Sequence, residues 1–183
     1  MSAKDIYGAL TQLGAVLRAE ARIESGLQPV QVQVLNYLSI CNRYSDTPVS
    51  VADYLGLTKG TVSQTLRVLT EAGFVDKRPD PHDGRVVHLR LTAKGKATVA
   101  GSVPPPVLRQ AVASLSESDQ SRTLESFRRL LGALQQANDG LSFGICHTCQ
   151  HFLSEGRGRF RCGLTEEPLK AAESKLICRE HLT

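Results

Sequence analysis

The chain has 183 residues, of which 41% are hydrophobic and 22% are charged, so it has enough apolar residues to exclude wholesale disorder. A formal net charge of +4 suits a polyanionic partner but does not require one, so the positions of the basic residues must decide. The N-terminal sequence MSAKDIYGALTQLGAV is too polar for a signal peptide, and no apolar run is long enough to span a membrane. A cytoplasmic protein with one domain and an appendage is predicted.

Two helices without an evident chemical role are predicted first. Apolar residues recur at steps of three and four between Asp5 and Glu20, and Pro29 suits the first turn of a second helix that runs to Ile40. Cys41 follows this helix. A lone thiol in that position usually serves as a small buried hydrophobic residue, and redox sensing there is the less favoured interpretation.

The stretch 48–92 predicts a helix, a tight turn, a second helix and two strands. Ser50 with Asp53 resembles a capping box for the first helix, Gly56 ends it, and Thr58 caps the second helix. One stripe of the second helix is apolar and must face the core. Its other side is small and polar, and it carries Lys59, Gly60, Thr61, Ser63, Gln64 and Arg67.

That polar face fits the major groove of double-stranded DNA. Gln64 and Arg67 can pair with purine edges, whereas hydroxyls and Lys59 can hold phosphates. An ordinary solvated face is the alternative, and the strands that follow favour the DNA interpretation. Residues 74–78 and 86–91 alternate as a strand pair around a Pro- and Asp-rich tip. Lys77, Arg78 and Arg85 place positive charge on or beside this tip.

Helix, turn, helix and wing in this order resemble the winged helix-turn-helix of the MarR family of bacterial transcription regulators. The resemblance covers about residues 5–138 and includes a Leu-Thr-x-x-Gly junction at 91–95. It implies that Arg85 enters the minor groove or grips the backbone, with Asp83 orienting it. The family usually has a basic residue before this arginine, where Gly84 stands here, so we expect a weaker wing contact. It also implies dimerisation through the first and last helices.

The prolines at 104–106 must break the helix that starts near Ala93, which departs from the long helix of many family members. Ser116 and Asp119 then open a final amphipathic helix with an apolar side. The members of that apolar side are Leu124, Phe127, Leu130, Leu131 and Leu134. By resemblance, this helix pairs with the N-terminal helix of a second subunit, and such a two-fold dimer reads a palindromic site.

The tail carries four cysteines, Cys146, Cys149, Cys162 and Cys178, in the pattern C-x2-C-x12-C-x15-C. In a reducing compartment, such a cluster predicts a metal site rather than a disulfide framework. One close pair followed by two solitary cysteines resembles the ligand spacing of high-potential iron–sulfur proteins, so a 4Fe–4S cluster is slightly preferred over zinc. His147 and His151 are expected to be exposed or to surround the ligands rather than to bind the metal.

These patterns predict a mainly α fold with a small β-wing. Residues 1–140 would form the winged helix-turn-helix domain with its helical dimerisation region, and residues 141–183 the cysteine-rich metal module. The predicted function is that of a homodimeric transcription regulator, a repressor, which binds a palindromic DNA operator. The protein would be associated with the nucleoid when it is bound to DNA. Loss or oxidation of the metal centre would reorder the tail beside the dimer helices and change the DNA affinity.

One alternative is a repressor that answers to a phenolic or aromatic small-molecule effector, with the tail as a purely structural zinc site. An enzyme is disfavoured, because the sequence has no Ser-His-Asp or phosphate-loop motif and four thiolates leave no open metal position. A protein-interaction module that uses only the tail would tolerate mutation of Gln64 and Arg67.

Overall fold

The computed structural model describes residues 2–137 and 143–182, and within residues 21–25 it describes the backbone only. The α-helices are α1 (Ala3–Ser25), α2 (Pro29–Ile40), α3 (Pro48–Leu55), α4 (Lys59–Glu71), α5 (Ala93–Ser102), α6 (Pro106–Ala113) and α7 (Glu117–Ala137). The strands are β1 (Val75–Pro79), β2 (Val87–Leu91), β3 (Gly144–Ile145), β4 (Phe152–Ser154), β5 (Phe160–Cys162), β6 (Pro168–Leu169) and β7 (Ile177–Cys178). Short 3-10 turns cover Cys146–Thr148 and Glu173–Lys175.

The two N-terminal helices form where the sequence predicts them. A capping box between Ser2 and Asp5 starts α1 two residues earlier than predicted, and Gly26 ends it with a left-handed φ of 66°. Pro29 occupies the first turn of α2, where its missing N–H costs nothing. Because α2 lies at the centre of the fold, it contributes Val34, Leu35 and Tyr37 to the core, and each is fully buried.

The helix-turn-helix is built on local signals, with one correction to its start. Thr47, not Ser50, caps α3: its hydroxyl accepts the Ser50 amide at 3.3 Å, and Pro48 follows in the first turn. The predicted capping box of Ser50 with Asp53 is therefore wrong. Gly56 ends α3 with a φ of 63°, and Thr58 caps α4 by accepting the Thr61 amide at 3.2 Å.

One hydrophobic core joins the helix-turn-helix to the wing. The apolar stripe of α4 is buried against α2, α3 and the first residue of β1. The buried core residues of these elements and of β2 are Val34, Leu35, Tyr37, Cys41, Val51, Ala52, Val62, Leu66, Leu69, Val75 and Leu89. Burial of this stripe sets the rotation of α4 about its axis, so its polar side must face outward.

The wing is an antiparallel pair in which Val75 lies opposite Leu91 and Pro79 opposite Val87. Leu89 also donates its amide to the Asp46 carbonyl at 2.7 Å, which fixes the base of the wing to the α2–α3 connection, residues 41–47. At the end of the wing, a Cβ on Gly95 would collide with the Phe74 carbonyl oxygen, so this glycine permits the close turn into α5.

The C-terminal helices leave an apolar surface exposed. As predicted, the prolines at 104–106 separate α5 from α6, and Ser116 accepts the Asp119 amide at 3.1 Å where α7 begins. No described residue of α7 is buried, and Leu124, Phe127, Leu131 and Leu134 are 45–56% exposed. The residues Ile6, Leu10, Leu13 and Val16 of α1 are likewise exposed.

The tail forms a compact unit of short strands. Strands β4, β5 and β6 make one antiparallel sheet, whereas β3 pairs with β7 and so closes the tail on itself. The predicted domain boundary at residue 140 lies outside the described residues, so it stays a prediction. Among the helices of residues 2–137 and 143–182, none is both long and apolar enough to cross a membrane.

Candidate nucleic-acid interface and cysteine cavity

The outward side of α4 carries every residue that the sequence analysis assigned to it. The side chains of Lys59, Thr61, Ser63, Gln64 and Arg67 are all exposed. The hydroxyl of Thr61 lies 2.9 Å from that of Thr58, so it serves the cap at the start of the helix as well. The side chains of Gln64 and Arg67 make no hydrogen bond with another described residue, and both are exposed and can turn toward a ligand.

The wing presents one ordered arginine at its tip. Arg85 donates to Asp83 through Nε at 3.0 Å and Nη2 at 2.9 Å, and its side chain is 91% exposed. These hydrogen bonds lower the pKa of Asp83 below its ordinary value. Asp83 therefore orients Arg85 as expected. Lys77 and Arg78 are exposed on β1, so the wing adds to the positive charge of this face.

His88 was not singled out from the sequence, yet it holds the wing in place. Its Nδ1 makes a very short contact with Asp46 in the α2–α3 connection, and its Nε2 lies 3.0 Å from Asp80 at the wing tip. The bond to Asp46, followed by the bond to Asp80, raises the pKa of His88. Asp80 also accepts the amides of His82 and Asp83, and its pKa falls to about 2.

The helix-turn-helix and most of the wing lie in a segment that matches a known family. Residues 25–86 match the MarR family model, and this range includes α2, α3, α4 and β1. Over these residues the chain is similar to the MarR family. The match ends before β2, so the cysteine-containing tail lies outside it.

Two repressors of known identity are similar to this chain. Transcriptional repressor MprA of Escherichia coli (strain K12) is 26% identical over 113 residues, which cover 61% of this chain and 64% of that protein. HTH-type transcriptional repressor YetL of Bacillus subtilis (strain 168) is 27% identical over 109 residues, which cover 60% of this chain and 64% of that protein. The matched part therefore spans less than two thirds of either relative.

Solved structures share the same fold. Streptococcus pneumoniae FabT in complex with DNA aligns with a TM-score of 0.58 and 23% identity, covering 74% of this chain and 99% of that one. A MepR–DNA complex from S. aureus aligns with a TM-score of 0.58 and 20% identity, covering 73% of this chain and 98% of that one. At this level of identity the likeness establishes the winged-helix architecture.

Beyond the winged helix, the four tail cysteines line one cavity. Cys146, Cys149, Cys162 and Cys178 surround a volume of about 30 Å³ whose wall is almost wholly apolar. Burial and the neighbouring Cys178, Cys162 and Cys149 raise the pKa of Cys146 to about 11. Within the described ranges, no group of three or more His, Cys, Asp or Glu is arranged to hold a metal ion. The structure thus brings the four predicted ligands together without forming a finished chelate.

Several groups around this cavity suit buried sulfur. Phe152 lines the cavity and stacks on Phe160 with ring centroids 5.2 Å apart. The backbone amide of Leu182 donates to the Cys149 sulfur at 3.5 Å. An apolar wall and an amide donor are the surroundings that shield and stabilise metal-bound thiolates.

The histidines of the tail take different positions around the cavity. His147 is exposed, and its Nδ1 lies 3.0 Å from the Ser174 carbonyl oxygen, whereas half-buried His151 lines the cavity. His181 is buried, and its Nε2 lies 2.9 Å from the Thr148 hydroxyl. A Cβ on Gly144 would collide with the His181 ring, so this glycine lets the ring pack against β3.

The tail docks on the α2–α3 connection and on α3, whereas the sequence led us to expect it beside the dimer helices. Arg43 pairs with Glu173 at 2.9 Å and with Glu167 at 3.0 Å. Arg179 donates its amide to the Ser45 hydroxyl at 2.8 Å and its guanidinium to Asp53 of α3 at 2.8 Å. The tail therefore contacts the helix-turn-helix directly.

An aromatic cluster reinforces this docking. Phe143, just before β3, contacts Tyr54 of α3 at a centroid distance of 5.2 Å, and Tyr54 lies 4.6 Å from Tyr37 of α2. The backbone of the connection also bonds the tail, because Asn42 donates its amide to the Ile177 carbonyl at 2.9 Å. Sequence spacing gave no signal for the two contacts with the tail, since Phe143 lies 89 residues from Tyr54 and Ile177 lies 135 residues from Asn42.

Proposed function

We propose that this chain is a DNA-binding transcription repressor that acts as a homodimer on a palindromic operator. The observation that carries this proposal is the joint display of the polar face of α4 and of Arg85 on one winged helix. Gln64 and Arg67 would read base edges in the major groove, and Ser63, Thr61 and Lys59 would hold phosphates. Lys77, Arg78 and Arg85, held by Asp83, would grip the adjoining backbone or minor groove.

The apolar stripes of α1 and α7 support the homodimer. Phe127 and Leu131 of α7 are 45% and 56% exposed, and Leu13 and Val16 of α1 are 49% and 47% exposed. A stripe of this kind on two long helices marks a protein–protein interface rather than a solvated face. Two-fold pairing doubles the number of bases read, which a single short recognition helix needs for specificity.

We further propose that Cys146, Cys149, Cys162 and Cys178 hold a metal centre, a 4Fe–4S cluster in preference to zinc. The convergence of four thiols on one apolar cavity supports the centre, and the amide donor on Cys149 supports thiolate ligation. Burial and the neighbouring thiols raise the pKa of Cys146 to about 11, and a bound metal cation would offset the charge of its thiolate. The Phe152 wall and the solitary third and fourth cysteines favour the cluster.

When bound, a cluster supplies one-electron chemistry and sensitivity to oxidants. The state of the cluster would change the DNA affinity through the contacts that dock the tail on the winged helix. Arg43 and Arg179 tie the tail to the α2–α3 connection and to α3, which carry the wing and support α4. A change of about 1–3 kcal/mol in this docking suffices for a roughly 5- to 150-fold change in affinity.

The proposal is tested on full-length protein purified without oxygen. Iron, sulfide and zinc are measured, and DNA affinity for the operator is titrated before and after removal of the metal. We expect iron and sulfide, with binding that changes at least tenfold on removal. The variant Cys162→Ser should reproduce the metal-free affinity. Cys41→Ala is the matched control, because Cys41 is a buried thiol that does not line the cavity, and burial raises its pKa to about 12.

Each outcome of this test decides one part of the proposal. Unchanged affinity after metal removal would leave a structural site and reject sensing. If the double variant Gln64→Ala with Arg67→Ala loses operator binding and the metal-free protein keeps it, α4 recognises the operator without help from the metal centre. Binding that survives both substitutions would reject the assignment of α4.

A second candidate is a repressor that answers to a small aromatic molecule. A cavity of about 550 Å³ lies between α2, the wing and α5, and it combines apolar side chains with Arg43, Arg90 and Lys96. Such a site suits an aromatic ring that carries a negative charge. Colourless protein with one zinc per chain, whose operator binding is released by an aromatic carboxylate such as salicylate, would favour this candidate.

A further inference from the structure

Asn42 is a buried polar residue of the winged helix that lines the cysteine cavity. It lies in the α2–α3 connection, it is 2% exposed, and it lines the cavity together with Cys146, Cys149, Cys162 and Cys178. Its backbone is fixed from the other side, because its amide donates to the Ile177 carbonyl at 2.9 Å. Asn42 is therefore held against the tail at the wall of the cavity.

The orientation of the Asn42 amide follows from its one hydrogen bond. The backbone N–H of Tyr44 lies 3.1 Å from Oδ1, and an N–H donor requires the carbonyl oxygen there. The amide cannot be flipped, so Nδ2 occupies the opposite side. Among the described residues this buried nitrogen has no hydrogen-bond partner. A buried donor without an acceptor is rare and costly, and it indicates a partner that the protein acquires.

The cavity offers sulfur as that partner. The other polar groups on its wall already have partners: Thr165 donates to the Tyr44 hydroxyl at 3.2 Å, and Glu180 accepts from Arg179 at 2.7 Å. The backbone N–H of Leu182 already donates a hydrogen bond to the sulfur of Cys149, so an amide donor can reach a sulfur of this cavity. Sulfur that carries negative charge, whether a thiolate or a bridging sulfide, is a good acceptor for an amide N–H.

We propose that Asn42 donates its Nδ2–H to a sulfur of the metal centre held by the four cysteines, and that it thereby raises the reduction potential of that centre. The inference rests on the proposed iron–sulfur centre. A donor to cluster sulfur stabilises the more negative, reduced state more than the oxidised state. Asn42 is a positioning residue, because it is not a ligand and acts through the hydrogen bond alone.

The test compares the reduction potential of the cluster in full-length wild type and Asn42→Leu, both purified without oxygen. Leucine has a similar volume but no donor, so the midpoint potential should be lower in the variant. Asn36→Leu is the matched control, because it makes the same substitution in α2. Asn36 is half-buried and does not line the cavity, so this variant should keep the wild-type potential.

A second variant keeps the proposal falsifiable if leucine prevents assembly of the cluster. Asn42→Ala removes the donor without adding bulk, and it should lower the potential in the same direction. Equal potentials in wild type, Asn42→Leu or Asn42→Ala, at equal iron and sulfide content, would overturn the inference while leaving the metal centre intact. Wild-type protein without iron and sulfide would instead overturn the proposed centre, and the inference would fall with it.

Discussion

Two neighbouring residues at the wing tip contribute in opposite ways to its proposed grip on DNA. Arg85 is held in an extended direction by two bonds to Asp83, which lowers the entropy that it would lose on binding a phosphate. Gly84 contributes no charge where the related family has a basic residue. It is exposed, a Cβ placed on it would meet no atom within 4 Å, and its φ is not in the left-handed region. Nothing in the fold therefore requires glycine at this position.

Gly84→Arg should tighten operator binding, because it adds a cation beside Arg85 without straining the turn. One additional phosphate contact in each subunit of a dimer would steepen the slope of log affinity against log salt by about 2. Titrations at several salt concentrations measure this slope. Gly101→Arg is the matched control: Gly101 is exposed in α5, where a Cβ also meets open space, and the same charge there should leave the slope unchanged. An equal slope for the wild type and Gly84→Arg would show that the wing tip does not contact phosphate.

At the scale of elements, the α2–α3 connection is the point where wing and tail meet. Its Asp46 binds His88 of β2, and its Arg43 and Ser45 bind the tail. Because the wing and the tail are distant in sequence but both bind this short segment, a displacement of the segment must alter both of them. The wing is therefore held by a charged hydrogen-bond network and not only by its two-stranded ladder.

His88→Gln should reveal this network through the pH dependence of folding. Bonds to two carboxylates raise the folded pKa of His88, so its stabilisation is fully present below the unfolded pKa of about 6.5 and is lost as pH rises through the folded pKa. Asp80, with its pKa lowered to about 2, contributes above about pH 4 and loses its contribution as pH falls toward 2. We expect the variant to be less stable by about 1 kcal/mol near pH 5.5 and by less near pH 8.5.

Denaturant unfolding at the two pH values measures the difference. His82→Gln supplies the control, because His82 is exposed at the wing tip and the bond it makes to Asp80 comes from its backbone. It should match the wild type at both values. A His88→Gln variant that loses equal stability at pH 5.5 and pH 8.5 would show that His88 is not charged in the folded protein.

The elements that the sequence predicted are those whose signals are local. The cap at Thr58, the buried stripe of α4 and the Pro- and Asp-rich tip all act within a few residues, so their outcome could be read from spacing. The bond of His88 to Asp46 spans 42 residues, and that of Arg179 to Ser45 spans 134. Patterns of three or four residues carry no information on such pairs. Grouping of the four cysteines was predicted, whereas their docking side and the role of Asn42 were not.

At the scale of the whole molecule, the position of the tail shortens the route from cysteines to DNA. The sequence suggested transmission through the dimer helices, which would change the distance between two recognition helices. Docking on the α2–α3 connection offers transmission within a single subunit, from the cavity through Asn42 and Asp46 to the wing. The dimer would then present two recognition helices to the two half-sites of the operator, and each tail would adjust the DNA affinity of its own subunit.

The substitution Phe127→Glu distinguishes transmission through the dimer helices from transmission within one subunit. Phe127 is 45% exposed on the apolar stripe of α7, and a carboxylate there would be buried without a partner in a dimer. We expect a monomer in sedimentation experiments, with operator affinity at least tenfold weaker, which corresponds to about 1.4 kcal/mol. Leu153→Glu is the matched control, because Leu153 is 46% exposed but lies in β4 of the tail, so that variant should remain a dimer with wild-type affinity. If the affinity of monomeric Phe127→Glu for a single half-site still changes on metal removal, the effect is transmitted within one subunit. If the change in affinity is absent from the monomer, the effect is transmitted through the dimer helices.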